Sequence, residues 1–382
     1  MRTVCVVTGT RAEYGILRPV MRTIEKRAKL SLQVVATGMH LEARHGHTVD
    51  EIERDGFRVD ATVEMTPKGD TPADMGGAIG RGIVGLTDTL GALSPEVVLV
   101  LGDRMEAFAV ATAGVFCGCC LAHIHGGDRA RAGFDDSMRH AITKLAHVHF
   151  PATEQSMERI IRMGEREENV FLVGAPGLDE TLAGPVFERE ELGEKLEADL
   201  STPPVVVVQH PVSTRPDDAA AEMIETMEAV AELDAPVIVI YPNNDAGGRR
   251  MIEVIRKYEN RENVKTFASL ARTVFLSVLR CASALVGNSS CGIIEAASFE
   301  LPVVNVGERQ AGRERARNVI DVAANQQDIR VALRKCLLDK DFRESLKGLE
   351  NPYGDGHASE RIVEALEEIT IDHALLQKQI AY

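Results

Sequence analysis

Carboxylates, imidazoles and guanidinium groups recur in this sequence directly after short apolar runs. LGDRMEAF places Asp103 and Arg104 behind one such run, and HIHGGDRARAGFDDSMRH follows the next. That block holds His123, His125, Asp128, Asp135 and Asp136. Residues two apart in an extended chain share a face, so His123 and His125 are expected side by side. Such a cluster can move protons and stabilise a positive charge as it develops. Blander roles fit as well: an N-cap for Asp135 or Asp136, and a hydrogen-bonded core position for His123. Metal chemistry has little support. There is no H-E-x-x-H, and Cys117, Cys119 and Cys120 have no partner pair elsewhere, so neither a metal nor a cofactor is expected.

The later part of the chain carries a different chemistry. QHPVSTR puts His210 at the end of an apolar run, and YPNNDAGGRR puts Asn243 at the end of the next. GNSSCGIIEAASFELPVVNVGERQAGR then reads as strand, small-residue loop, helix, strand and loop. Ser289 and Ser290 at a helix start would offer hydroxyls, backbone N–H groups and the positive dipole end to a diphosphate. Glu295 would accept from ribose hydroxyls, and Arg309 and Arg313 would neutralise phosphate. Near the beginning, TGTRAEYGIL brings Arg11 into a helix after a glycine turn. This is either an anion seat or a tight turn with a solvent arginine. A nicotinamide cofactor fits poorly, because G-x-G-x-x-G is missing and LQVVATG lacks the acidic residue that holds a ribose.

These residues need a scaffold that brings strand ends together. Short β-branched runs alternate with amphipathic helical stretches, the pattern of parallel sheets with crossover helices. Strands are expected near 2–8, 32–37, 59–64, 97–102, 119–125, 147–150 and 170–173. A second set comprises VVVVQH, PVIVIYP, VKTF, ALVGNSS and PVVNVG, with helices at 218–233, 247–258, 271–282 and 291–299 between them. The run TPADMGGAIGRGIVGLTDTLGAL reads as a glycine-tolerant helix packed closely on a neighbour. The charged segment 174–204 reads as the interdomain connection, and 357–377 as one long helix. The 382 residues suit two domains. The expected division is 1–175, a first Rossmann-like domain with the carboxylates and imidazoles; 176–360, a second with the diphosphate-seat residues; and 361–382, a helix returning to the first. Ligands in such α/β folds sit beyond the carboxyl ends of the strands, here in the cleft between domains.

With 43 basic and 58 acidic residues the net charge is −15, which argues against nucleic-acid backbones as partners. No apolar run approaches the ~20 residues of a membrane span. The start, MRTVCVVTGTR, enters a strand directly, and most of the seven cysteines lie in apolar segments. A cytoplasmic protein with reduced thiols is expected.

In order along the chain, TGTRAEYGIL, LGDR, HIHGGD to DDSMRHAITKLAH, QHPVS, YPNNDAGGRRM, GNSSCGIIEA and GERQAGR resemble the hydrolysing UDP-N-acetylglucosamine 2-epimerases. The resemblance implies two Rossmann-like domains of the glycosyltransferase-B type, UDP held mainly by the second, and a homodimer or homotetramer. It implies that Arg11, Ser289, Ser290, Glu295 and Arg309 contact the nucleotide, with Arg104, Asn243, Gly292 and Arg313 completing the binding set. Asp103, His125, Asp128, Asp135, Asp136 and His210 would face the sugar. Relatives often read HIEGGE, so His125 and Asp128 stand where they carry glutamates. The loop 128–135 also reads as one residue longer than in the animal enzyme. The expected reaction converts a UDP-acetamido sugar and water to UDP and N-acetylmannosamine, or its analogue, through a 2-acetamidoglycal. A non-hydrolysing epimerase, a retaining glycosyltransferase and a non-catalytic sugar-nucleotide binder are the alternatives.

Overall fold

A computed structural model describes residues 1–43, 46–129, 134–184 and 186–382. Two all-parallel, six-stranded sheets form, one after the other in the chain. The first contains β1 (Arg2–Thr8), β2 (Leu30–Thr37), β3 (Ala61–Val63), β4 (Val97–Leu101), β5 (Cys120–Ile124) and β6 (Val148–Phe150), in the order β3-β2-β1-β4-β5-β6. The second contains β7 (Val205–Val208), β8 (Val237–Ile240), β9 (Val264–Phe267), β10 (Ala284–Gly287), β11 (Val303–Val306) and β12 (Val319–Val322). Its order, β12-β11-β10-β7-β8-β9, is the same doubly wound topology. Central strands such as VVLVL and VVVV are buried along their whole length, because helices cover both faces.

The topology reverses between β1 and β4 in the first sheet and between β7 and β10 in the second. Chain segments part at these points, and the polar loops identified from the sequence leave from them and from the neighbouring strands. The helix Pro72–Leu93 starts at a capping box between Thr71 and Asp74. Its glycines do permit close packing. A Cβ on Gly85 would stand 2.7 Å from Val63 Cγ1, and one on Gly82 would stand 2.9 Å from Met65 Sδ. The segment 174–204 contains two short helices, Gly177–Ala183 and Arg189–Leu196.

Four expectations about elements need correction. Residues 170–173 add no seventh strand, only a single parallel bridge from Val170 to His149. The second sheet also has one strand more than the five apolar runs predict. Edge strand β12 is only partly covered and carries exposed Asp321, so its apolar signal is weak. The stretch 291–299 is a four-residue α-helix, Cys291–Ile294, followed by 3-10 geometry at Ala296–Phe299. Finally, 357–377 is two pieces, Ala358–Glu368 and His373–Leu376. The chain turns extended at Ile369 and restarts at Asp372, which caps Leu375 N at 2.9 Å. The first piece packs Ile362, Val363 and Leu366 into the core of the first sheet. Among the described residues, no helix is long and apolar enough to cross a membrane.

Candidate active site

Asp103 follows β4 after Gly102, whose φ of +74° lets the chain turn sharply at the strand end. Its carboxylate accepts from Arg139 Nη2. Arg139 is 1% exposed and lies one turn into the helix Phe134–Leu145. Its Nη1 also donates to Asp136 Oδ1 and to the Asp128 carbonyl, both at 3.0 Å. Arg139 therefore ties three acidic segments together. Burial first, then the charges of Arg313 and Arg309, push its pKa well below the ordinary arginine value.

His125 does not share a face with His123. β5 ends at Ile124, and His125 takes a left-handed backbone with φ +61°, which redirects its side chain. His125 Nδ1 lies 3.5 Å from Asp128 Oδ2. Burial would raise the pKa of Asp128, but His125, Arg313 and a 2.8 Å bond from Ser156 Oγ together hold it below the usual carboxylate value. His123 has the core role. It is fully buried, its Nε2 lies 2.7 Å from the Gly102 carbonyl, and burial drives its pKa down to about 3.

Asp135 and Asp136 sit inside the first helical turn, so neither is the N-cap. The preceding residues 130–133, and with them the comparison of loop length, lie outside the described residues. Asp135 is buried, with a pKa pushed up to about 6. Burial is the main cause and Asp245 adds repulsion, opposed by Arg309, Arg104 and Arg313.

The second sheet answers across the cleft. Arg309 Nη2 reaches Asp135 Oδ2 at 3.2 Å, and Arg313 Nη2 reaches Asp128 Oδ2 at 3.4 Å. Arg104 Nη2 donates to Asn244 Oδ1 at 2.7 Å, and Phe134 N donates to Ser213 Oγ at 3.2 Å. His210 Nδ1 accepts from Asn243 N at 3.1 Å, so the neutral ring carries its proton on Nε2. Burial and the charges of Arg309 and Arg104 hold its pKa well below 6.5, keeping it neutral. The Asn243 side chain turns to Asp245 at 2.6 Å, and Asn243 acts here by orienting other groups. Among the described residues, buried Nε atoms of Arg139, Arg309 and Arg313, and Nη1 of Arg313, have no hydrogen-bond partner. Unsatisfied donors of this kind are costly unless an anion arrives to take them.

Other expected residues are placed differently. The positive end of the helix Arg11–Glu25 is occupied from within the chain: buried Glu13 Oε2 accepts from Gly9 N at 2.6 Å. Arg11 pairs with Glu51 and reaches Ser269 Oγ of the second half at 2.8 Å. Glu295 is buried and bonded to Arg272 Nη1 at 2.9 Å. Gly292 is a packing residue, since a Cβ there would stand 3.0 Å from Val303 Cγ1 and 3.2 Å from Leu285 Cδ2. Ser289 Oγ accepts from Cys291 N at 3.4 Å. With only four α-helical residues behind Ser290, the helix dipole expected from the sequence is short.

This scaffold has close counterparts. The family model described as UDP-N-acetylglucosamine 2-epimerase matches residues 22–367. The chain belongs to the UDP-N-acetylglucosamine 2-epimerase family. Within it, the chain is 39% identical, over the full length of both proteins, to a hydrolysing UDP-N,N'-diacetylbacillosamine 2-epimerase of Legionella pneumophila. A hydrolysing GDP/UDP-N,N'-diacetylbacillosamine 2-epimerase of Campylobacter jejuni is 31% identical over 90% of this chain and 89% of its own. Among solved structures, the UDP-GlcNAc 2-epimerase of Neisseria meningitidis bound to UDP-GlcNAc superposes with a TM-score of 0.78 at 19% identity, over 96% and 99% of the two chains. The fold is glycosyltransferase-B-like. Sequence reasoning about this epimerase-family chain missed Arg139 and Asp245. Arg139 had a readable signal, three residues after Asp136 and four after Asp135, hence on the same helix face. Asp245 had none, because its neighbours Arg104 and Asp135 are distant in sequence.

Proposed function

We propose that this protein is a hydrolysing 2-epimerase that takes a UDP-2-acetamido sugar and water to UDP and the free 2-epimeric sugar. One observation carries the reading. Two arginines of the second half lie against two aspartates of the first, at 3.2 and 3.4 Å, with further buried N–H groups unpartnered among the described residues. A diphosphate would take those donors and, in doing so, release the aspartates beside the sugar.

The chemistry then needs few parts. As the carbon 1–oxygen bond breaks, its electron pair leaves with UDP, and Arg309, Arg313 and the Nε2–H of His210 stabilise the departing charge. The ring gains oxocarbenium character, and the carbon 2 proton becomes removable. Asp135 or Asp103 accepts it, and the carbon 1–carbon 2 double bond of the 2-acetamidoglycal forms. Water adds its oxygen to carbon 1 while a proton returns to carbon 2 on the opposite face. Arg139 holds Asp103 and Asp136 in place throughout, and His125 with Asp128 forms the second acid/base pair. No step requires a redox change.

The Legionella relative, at 39% identity over the full length, supports a doubly N-acetylated sugar of the diacetylbacillosamine kind over N-acetylglucosamine itself. The test is incubation in heavy water with each UDP-sugar in turn. Free UDP with a carbon 2-deuterated, 2-epimeric sugar is expected, fastest for the diacetamido substrate. Epimer still attached to UDP would mean a non-hydrolysing epimerase. Sugar transfer without carbon 2 exchange would mean a glycosyltransferase, and either result would sink the reading.

A further inference from the structure

Lys378 follows the last short helix and lies well away from the catalytic cleft, yet it is bound to the helix that carries the cleft's carboxylates. Its Nζ donates to the carbonyls of Thr143, Lys144 and Ala146 at 3.0, 2.9 and 2.6 Å. These belong to the end of the helix Phe134–Leu145, where carbonyls have no intrahelical partner and a cation answers the negative dipole end. The same ammonium pairs with Glu165 Oε2 at 2.5 Å. Buried Glu165 also takes Lys144 Nζ at 2.6 Å and lies 3.1 Å from His149 Nε2. Around this knot the segment is fastened down. Ala381 N donates to the Gly164 carbonyl at 3.0 Å, and Ile380 and Tyr382 lie over Gly164 with no room for a Cβ.

Two lines of contact run from the anchored end to the cleft. Thr143 Oγ1 donates to the Arg139 carbonyl at 3.0 Å and lies 3.4 Å from His123 Nδ1. The other nitrogen of His123 contacts the carbonyl of Gly102, the residue before Asp103. Asp135 lies eight residues up the same helix, about 12 Å along a stiff rod at ~1.5 Å per residue. A small rotation at the anchor therefore moves the carboxylates, and ~1 Å of misplacement can cost ~10²-fold in rate.

We propose that Lys378 is a positioning residue for catalysis, clamping the far end of the Phe134–Leu145 helix so that Asp135, Arg139 and Asp103 meet in register. The effect on turnover rests on the epimerase reading, so backbone amide exchange is measured beside it. Lys378→Met keeps most of the side-chain volume and removes the charge, whereas Lys378→Arg keeps a cation. In Lys378→Met, amides of residues 134–145 should exchange faster and kcat should fall at least ~10-fold, with KM and UDP affinity near parent values. Lys378→Arg should restore most of both losses. Glu165→Gln, which leaves the lysine in place, should show a smaller change in the same direction. Parent-like exchange and kcat in a folded Lys378→Met would overturn the clamp. So would a loss of UDP affinity that matches the loss of kcat, because that signals general loosening. Should Lys378→Met not fold, Glu165→Gln decides: parent-like exchange and kcat in that variant overturn the proposal. If the parent turns over no UDP-acetamido sugar, the function is wrong, and exchange across 134–145 still decides the clamp.

Discussion

Asp135 is the residue whose surroundings make the sharpest forecast. It accepts a proton only when ionised, so kcat/KM should fall as pH drops through about 6. The same shift favours a protonated Asp135 in the folded state. That contribution to stability is fully present below the ordinary value near 3.8 and is lost as pH rises through about 6. The causes can be varied singly. Asp245→Asn removes the repulsion and should move the acid limb to lower pH, while Arg309→Ala removes an opposing cation and should move it higher. Asp135→Asn should reduce turnover by about 10²–10⁴-fold with UDP binding intact. A limb that stays put in all three variants, read from pH–rate profiles, would assign it to another group. In the proposed reaction His210 enters as a neutral donor, so His210→Ala should lower kcat by about 10²-fold without displacing that limb. For His125, asparagine tolerates the left-handed backbone but lacks the imidazole. Parent-like turnover in His125→Asn would reduce that residue to loop packing.

At the scale of elements, packing shapes the loop after β10. Gly292 presses against Val303 of β11 and Leu285 of β10, so Gly292→Val must displace one of them. Overpacking of this kind costs about 1–3 kcal/mol, to be read as a lowered denaturant midpoint. The lesion also disturbs Ser289 and Ser290, and UDP affinity should weaken with it. Unchanged stability together with weakened UDP binding would instead make Gly292 a point of direct contact. Glu295 raises a similar distinction. Its buried bond to Arg272, which also donates to the Gly177 carbonyl at 2.9 Å, places a positioning contact where the sequence pointed to a ribose. Arg272→Met should therefore destabilise the fold by about 3–5 kcal/mol, as expected when one partner of a buried ion pair is lost.

Across the whole molecule, acidic residues outnumber basic ones. The chain carries a net −15, yet Arg139, Arg309 and Arg313 crowd into one cleft. These arginines are matched by Asp103, Asp128 and Asp135, so a diphosphate would compete with the carboxylates for their N–H groups, while the net negative charge opposes extended polyanions. UDP should stabilise the protein by mass action, and the rise in melting temperature should shrink in Arg309→Ala and Arg313→Ala. Each loss should amount to about 1.5–3 kcal/mol of UDP binding by calorimetry, the range for hydrogen bonds to charged groups. Unaltered UDP affinity in both variants would remove these arginines from the nucleotide seat.

Sequence alone determined the doubly wound class, most strand positions and the gathering of acids and imidazoles at strand ends. These follow from local signals: all-apolar β-branched runs, helical periodicity, and polar blocks placed just after the runs. Where the local signal faded, so did the reading. Strand β12 is half-covered and carries Asp321, and the β-branched run Ile369-Thr370-Ile371 ends a helix that periodicity had extended. Only the tertiary structure decided which acid meets which arginine. His125 left its strand's alternation through one left-handed residue, Arg11 turned to Glu51 and Ser269, and Glu295 was claimed by Arg272. Asp135 acquired its raised pKa from burial and from Asp245, 110 positions away, against three arginines that the fold also brings to it and that pull the value down. Residue types and spacing report the chemistry a chain can perform. Distances across a cleft depend on how two sheets pack, and no local pattern encodes that.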